Sequence, residues 1–212
     1  APVIKVFKIN RNIKTKVILT GQHKDMVYSV MKLFGLDIDL TLKFDNKNKS
    51  LSDISSEILK SLNYEFKTSM CDLVIVQGDT TSAFAVALCA FHRKIKVIHL
   101  EAGLRSWDMY NPYPEEFNRA TISSMADIHL CPTETNADVI RKNHDGKVFV
   151  VGNTVLDNLT RLTPFLGDTV LITMHRRENL SIIDKWFRAI ECIAKNNPHL
   201  KFVFPMHPNP DI

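Results

Sequence analysis

No run of apolar residues in this chain approaches the roughly 18 that a membrane-spanning helix requires. The opening stretch APVIKVFKINR also lacks an apolar core followed by a small-residue cleavage site, so a secretory leader is not read there. The expectation is a soluble, cytoplasmic protein. Cysteine is scarce: Cys71, Cys89, Cys131 and Cys192 are far apart and form no C-x-x-C, which argues against a disulfide framework or a zinc site and for reduced thiols. No block of like charge occurs, and a net charge of +4 with 24% charged residues favours small anions over a nucleic-acid duplex. G-x-G-x-x-G and a helical two-histidine pair are both missing. Neither a dinucleotide cofactor nor a metal is therefore expected, and the cofactor expectation is none.

What is present is enough apolar material for a real core. With 45% hydrophobic residues in 212, the chain fits one large domain, or one domain and part of a second. Short β-rich runs recur at 17–20, 73–77, 97–100, 128–131, 148–151, 170–174 and 202–205, separated by helical patterns. Their nearly continuous apolar character suits strands of a parallel sheet covered on both faces. From Leu51 to Phe66, the residues Ile54, Ile58, Leu59, Leu62 and Phe66 form one helical stripe, with Ser50 and Asp53 as a capping box. Thr133 reads as a further N-cap, with Glu134 in the first turn behind it.

Repeated strand, loop and helix units predict an α/β fold of Rossmann-like, doubly wound parallel sheets. Breaks at Thr163-Pro164 and Gly167-Asp168 place a boundary near 165, giving domains at 1–165 and 166–212. Only one β-α-β unit follows it, so the second domain reads as partial. In doubly wound sheets ligands sit at the carboxyl ends of the strands. The loops there carry the polar residues.

After the run LVIVQ comes Gly78-Asp79-Thr80-Thr81-Ser82. Glycine allows a tight turn and a helix N-terminus offers free N–H groups to an anion, although Asp79 could equally be the helix cap. In HLEAGLRSWDMYNPYPEEFNR, Glu101 follows a strand directly and Arg105 lies close behind. Such a carboxylate is a candidate acid or base, while Glu116 reads better as a structural, helix-dipole carboxylate. His175, Arg176 and Arg177 follow VLITM and suit a diphosphate, because guanidinium forks match phosphate oxygens.

Taken in order, TGQH, QGDTTS, HLEAGLRS, PEEFNR, PTET, VGNTVLD, HRREN and PMHPNP resemble the non-hydrolysing UDP-N-acetylglucosamine 2-epimerases from Ala1 to about Pro210. The resemblance implies two Rossmann-like domains in the GT-B arrangement, a homodimer, and a UDP-sugar cleft. It implies isomerase chemistry in which UDP leaves carbon 1 as carbon 2 loses its proton, then adds back after protonation on the other face. Carried over by motif, Asp79, Glu101, Glu115 and His175 are catalytic, and Arg105, Arg119, Arg176 and Arg177 bind substrate. UDP-N-acetylglucosamine would be the substrate and, at Gln22, His23, Arg176 and His207, an activator. No nucleic acid or membrane partner is implied. The product would feed a bacterial or archaeal surface polysaccharide.

The chain departs from that family in opening beyond its leading strand and G-T-R-P-E loop. The stretch from Gly152 to His175 is shorter by about one helix of ~20 residues, against a typical ~11, and the chain stops at Ile212 before the family's C-terminal part. Three rival readings are a hydrolysing 2-epimerase releasing N-acetylmannosamine, a GT-B glycosyltransferase, and a non-catalytic nucleotide-sugar-binding module.

Overall fold

A computed structural model describes residues 1–21, 24–43, 49–159, 167–174 and 182–205. The chain divides into two compact units, Ala1–Arg161 and Leu162–Ile212.

In the first unit the elements run α1 (Pro2–Ile9), β1 (Ile18–Leu19), α2 (Lys24–Leu33), β2 (Leu40–Thr41), α3 (Leu51–Thr68), β3 (Leu73–Gln77), α4 (Thr81–His92), β4 (Lys96–Leu100), α5 (Glu115–Met125), β5 (Ile128–Cys131), α6 (Glu134–Asn143) and β6 (Lys147–Val150). All strand pairs are parallel, with β1 on β2 and a four-stranded sheet in the order β3-β4-β5-β6. Each crossover in that sheet steps the same way, so right-handed connections lay α4, α5 and α6 along one face. Among the described residues no helix is long and apolar enough to cross a membrane. All four cysteines are free thiols.

The helices begin where the sequence signals them. Ser50 and Asp53 form the reciprocal capping box of α3, and Thr133 caps α6 by accepting from Asn136 N–H. The stripe on α3 buries Ile54, Ile58 and Leu62 against Leu42, Ala85 and Cys89. Alanines at 83, 87 and 90 let α4 lie close on Val76 and Val97, with Ile122 of α5 completing that core. The seven apolar runs expected as strands are all present within a few residues, and β2 was not anticipated.

Coverage on both faces holds only for the inner strands. Val97, His99, Leu100, His129 and Cys131 of β4 and β5 are buried, whereas Leu73 of β3 and Phe149 and Val150 of β6 are exposed. These lie on the two edge strands of the described sheet. An apolar run therefore marked a strand without telling whether it was central.

The second unit contains β7 (Thr169–Leu171), α7 (Ile183–Asn196) and β8 (Lys201–Val203), a single parallel β-α-β unit. Phe187 meets Phe204 edge to face at 5.7 Å. Among its described residues none is fully buried, since one helix covers one sheet face only.

One close approach pins the loop after β4. Gly103 has φ +90, and a Cβ there would lie 2.2 Å from the Asn136 carbonyl oxygen at the start of α6. Gly35, at φ +61, has open space around it. Gly103→Ala should cost roughly 3 kcal/mol or more, combining a left-handed backbone with a backbone clash, against about 1 kcal/mol for Gly35→Ala. Urea unfolding of the two variants checks this; equal losses would refute the clash.

Candidate active site

Three loops at the carboxyl ends of β1, β3 and β4 come together at one end of the first unit, and those after β3 and β4 have a mechanical reason for their shape. After β3 the chain turns at Gly78, with φ +71, and Gly78 N–H donates to Leu100 O so that the turn stays attached to β4. Helix α4 then starts with Thr80 as N-cap, its hydroxyl accepting from Ala83 N–H at 3.2 Å. Capping by Thr80 removes the structural alternative for Asp79. The Asp79 carboxylate is left to face its neighbours. Thr20, in the loop after β1, hydrogen-bonds Ser82 of α4 at 3.1 Å, which brings the Thr20-Gly21 turn to the same end.

After β4 the first residue is Glu101, held at φ +67. A non-glycine side chain in the left-handed region is strained, and such strain concentrates at functional positions. Glu101 N–H and Ala102 N–H both donate to Leu130 O of β5, which fixes that conformation. The Glu101 carboxylate accepts from Gln77 Nε2 at 3.3 Å. Periodicity carries no signal for a single backbone torsion, so this strain was invisible in the sequence.

Helix α5 supplies the rest. Glu115 and Glu116 fill its first turn, where negative charge is favoured. They have opposite environments. Glu116 is 2% exposed, accepts from Ser106 N–H at 2.9 Å and Trp107 N–H at 3.1 Å, and so ties down the loop after β4. Glu115 is only partly buried and lies near enough to Asp79 for its charge to be felt there.

Arg119, one turn on, stands between two carboxylates. Its Nε is 3.0 Å from Glu116 and 3.6 Å from Asp79. The Nε–H is not aligned on a hydrogen-bond acceptor among the described residues, so the contact is an ion pair and not a directed bond. Burial is the main cause pushing the Asp79 carboxyl above its ordinary pKa; Arg119 opposes it, and the charges of Glu115 and Glu101 reinforce it. The structure thus brings two further sequence-predicted carboxylates, Glu101 and Glu115, within electrostatic reach of Asp79, which Arg119 meets at 3.6 Å. Among the described residues no three histidines, cysteines or acids are placed to hold a metal ion.

The other predicted binders are placed differently. Arg105 turns inward, donating to Leu104 O at 2.7 Å and Ser123 Oγ at 2.9 Å, with His144 Nε2 at 3.3 Å. In this state its guanidinium braces the loop against α5. His144, at the far end of α6, is one of its partners. Gln22, His23, His175, Arg176, Arg177 and His207 lie outside the described residues. Two residues at the site went unnoticed in the sequence: His99, whose Nε2 is 2.9 Å from Gly78 O, and Asn118, whose Nδ2 donates to Asp79 O at 2.8 Å. An isolated histidine in an apolar strand and an asparagine within PEEFNR are the only traces they leave.

A sequence model of the UDP-N-acetylglucosamine 2-epimerase family matches residues 5–212. The UDP-N-acetylglucosamine 2-epimerase of Neisseria meningitidis is 37% identical over 242 residues, spanning 100% of this chain and 63% of that protein. That of Bacillus subtilis is 36% identical over 224 residues, 99% of this chain and 59% of the relative. A crystal structure of a Neisseria meningitidis UDP-GlcNAc 2-epimerase bound to UDP-GlcNAc superposes with a TM-score of 0.88 at 37% identity, covering 99% of this chain and 62% of the other. The chain therefore spans about three fifths of the length of the relatives it matches. These structures share its α/β fold of parallel sheets.

The electrostatics give opposite expectations for two neighbouring carboxylates. Asp79 holds its proton more tightly in the fold than in the unfolded chain, where 3.8 is its ordinary value. Its charge therefore lowers stability as pH rises from 3.8 through the raised value, and above that the penalty is complete. Asp79→Asn should accordingly melt at or above the parent at neutral pH, with the difference vanishing below about pH 3.8. Glu116→Ala, which strands Arg119 and two backbone N–H groups, should lose about 3–5 kcal/mol. Thermal melts across pH would contradict this if Asp79→Asn were the less stable at pH 7.

Proposed function

The chain belongs to the UDP-N-acetylglucosamine 2-epimerase family, and from that membership we propose that the whole protein interconverts UDP-N-acetylglucosamine and UDP-N-acetylmannosamine without releasing the free sugar. The observation that carries this reading is that Glu101 and Glu115 lie within electrostatic reach of Asp79, whose carboxyl is pushed above its ordinary pKa by burial while Arg119 stands 3.6 Å away.

The chemistry asks for such a group. Carbon 2 of the sugar is not beside a carbonyl, so removing its proton alone would leave an unstabilised carbanion. If the bond from carbon 1 to the diphosphate oxygen breaks as the carbon 2 proton leaves, the electron pair of the C–H bond becomes a double bond and UDP departs with the C–O pair. The product is a neutral unsaturated glycal. Re-addition of UDP at carbon 1, with a proton delivered to the other face of carbon 2, gives the epimer. Nothing is oxidised.

Two faces require two proton carriers, one basic and one acidic at the same moment. Asp79 and Glu115 take these roles, and Glu101, strained at a strand end, contacts the sugar or assists transfer. By their motif, His175, Arg176 and Arg177 meet the departing diphosphate, where cationic groups offset its charge. A second UDP-N-acetylglucosamine at Gln22, His23, Arg176 and His207 would act as activator. The protein works as a cytoplasmic homodimer in the synthesis of a surface polysaccharide.

Whole protein incubated in heavy water with UDP-N-acetylglucosamine should give a mixture of both UDP-sugars with deuterium at carbon 2, followed by proton NMR. Asp79→Asn and Glu115→Gln should each lower the rate about 100-fold or more. Stoichiometric UDP with free N-acetylmannosamine would establish the hydrolysing reaction instead. Retention of the carbon 2 proton through many turnovers would end the two-face assignment.

A further inference from the structure

His99 is wholly buried in the middle of the sheet, where β4 carries it beside Val76 of β3 and His129 of β5. A leucine or phenylalanine would fill such a place without burying a polar ring. The imidazole makes one hydrogen bond among the described residues, from Nε2 to Gly78 O at 2.9 Å, while Nδ1 has no partner there. A carbonyl oxygen only accepts, so Nε2 must carry the proton. Burial pushes His99 down to about 4, aided by the charges of His129 and Arg105 and opposed by the bond to Gly78, so the ring stays neutral through the physiological range.

The carbonyl it holds belongs to the peptide that joins Gly78 to Asp79. The next peptide, from Asp79 to Thr80, is held through its own carbonyl by Asn118 Nδ2 at 2.8 Å, and Asn118 is 3% exposed. Both peptide planes flanking the Asp79 Cα are therefore tied by buried side chains, one from the sheet and one from α5. Two fixed planes leave the Asp79 backbone no soft torsion. The direction of its Cα–Cβ bond follows.

We propose that His99 is a positioning residue for the epimerisation, clamping with Asn118 the two peptides around Asp79 and so aiming its carboxylate. The functional part of this inference rests on Asp79 being a proton carrier, as proposed above. The clamp itself is a statement about geometry and can be judged separately.

Two measurements do this. In the 212-residue chain, carboxyl-carbon NMR follows the titration of Asp79: His99→Phe should shift it to lower pH as the freed turn opens to water, whereas His99→Gln, whose amide can donate to the same carbonyl, should leave it in place. In the whole protein, His99→Phe should lower kcat about ten-fold or more with KM changed by less than about two-fold, because a misaimed group costs rate and not binding. His99→Gln should recover most of that loss. An unchanged Asp79 titration in a folded His99→Phe variant, or equal losses in the Phe and Gln variants, overturns the clamp. Should His99→Phe not fold, nitrogen NMR of the parent decides: a proton on Nε2 supports the clamp, and one on Nδ1 overturns it. Asp79→Asn run in the same assay separates the two ideas. Normal turnover there removes the proton-carrier reading, while the titration still judges the clamp.

Discussion

Arg119 faces a fully buried carboxylate on one side and a partly buried one on the other, and the shape of the site follows from that asymmetry. Glu116 can be buried only because a cation stands 3.0 Å away and two backbone N–H groups satisfy its oxygens. Those N–H groups belong to Ser106 and Trp107, so the same ion pair that permits burial also folds the loop after β4 onto α5. Asp79 receives what remains of the guanidinium's field at 3.6 Å, too little to offset its own burial and two like charges. One cation thus makes Glu116 a structural anchor and leaves the Asp79 carboxyl above its ordinary pKa.

The parts of the molecule that hold still are correspondingly small and backbone-directed. Gly103 lets the loop after β4 touch the Asn136 carbonyl of α6, and Asn136 Nδ2 in turn reaches Gly103 O at 3.3 Å. Leu130 O takes two N–H groups, from Glu101 and Ala102, and holds Glu101 in a conformation it would not adopt alone. Rigid neighbours are what make a strained side chain tolerable.

Much of this was legible in the sequence where one residue sufficed as a signal. Ser50 with Asp53 and Thr133 with Glu134 announced their helices because capping is local chemistry, and the apolar runs announced β3, β4, β5 and β6 because a parallel strand needs little else. The split between Glu115 and Glu116 was also readable, since adjacent helical positions point about 100° apart and cannot share an environment. What could not be read depends on two distant segments meeting. The choice of Thr80 over Asp79 as cap turns on one torsion, and the role of His99 on a register that sets β4 beside the end of β3. Arg105 was expected to bind substrate from its place in the HLEAGLRS motif. Whether it points outward depends on Ser123 and His144, 18 and 39 residues away.

The coupling among the carboxylates bears on how the proposed reaction divides its labour. The charges of Glu115 and Glu101 both act on Asp79 and favour its protonated form. Burial is the largest cause of that bias at Asp79. Glu115 sits in the first turn of α5, where the helix N-terminus favours negative charge. A site that must present an acid to one face of carbon 2 and a base to the other is then asymmetric before substrate arrives, with burial favouring the proton at Asp79 and the helix N-terminus favouring negative charge beside Glu115. Each turnover moves a proton from one to the other and leaves the arrangement reversed. For an enzyme working in both directions the two forms must be close in energy, and Arg119 is placed to make them so. When Asp79 ionises the guanidinium gains a second anion at 3.6 Å, which offsets part of the cost of charging that half-buried carboxylate.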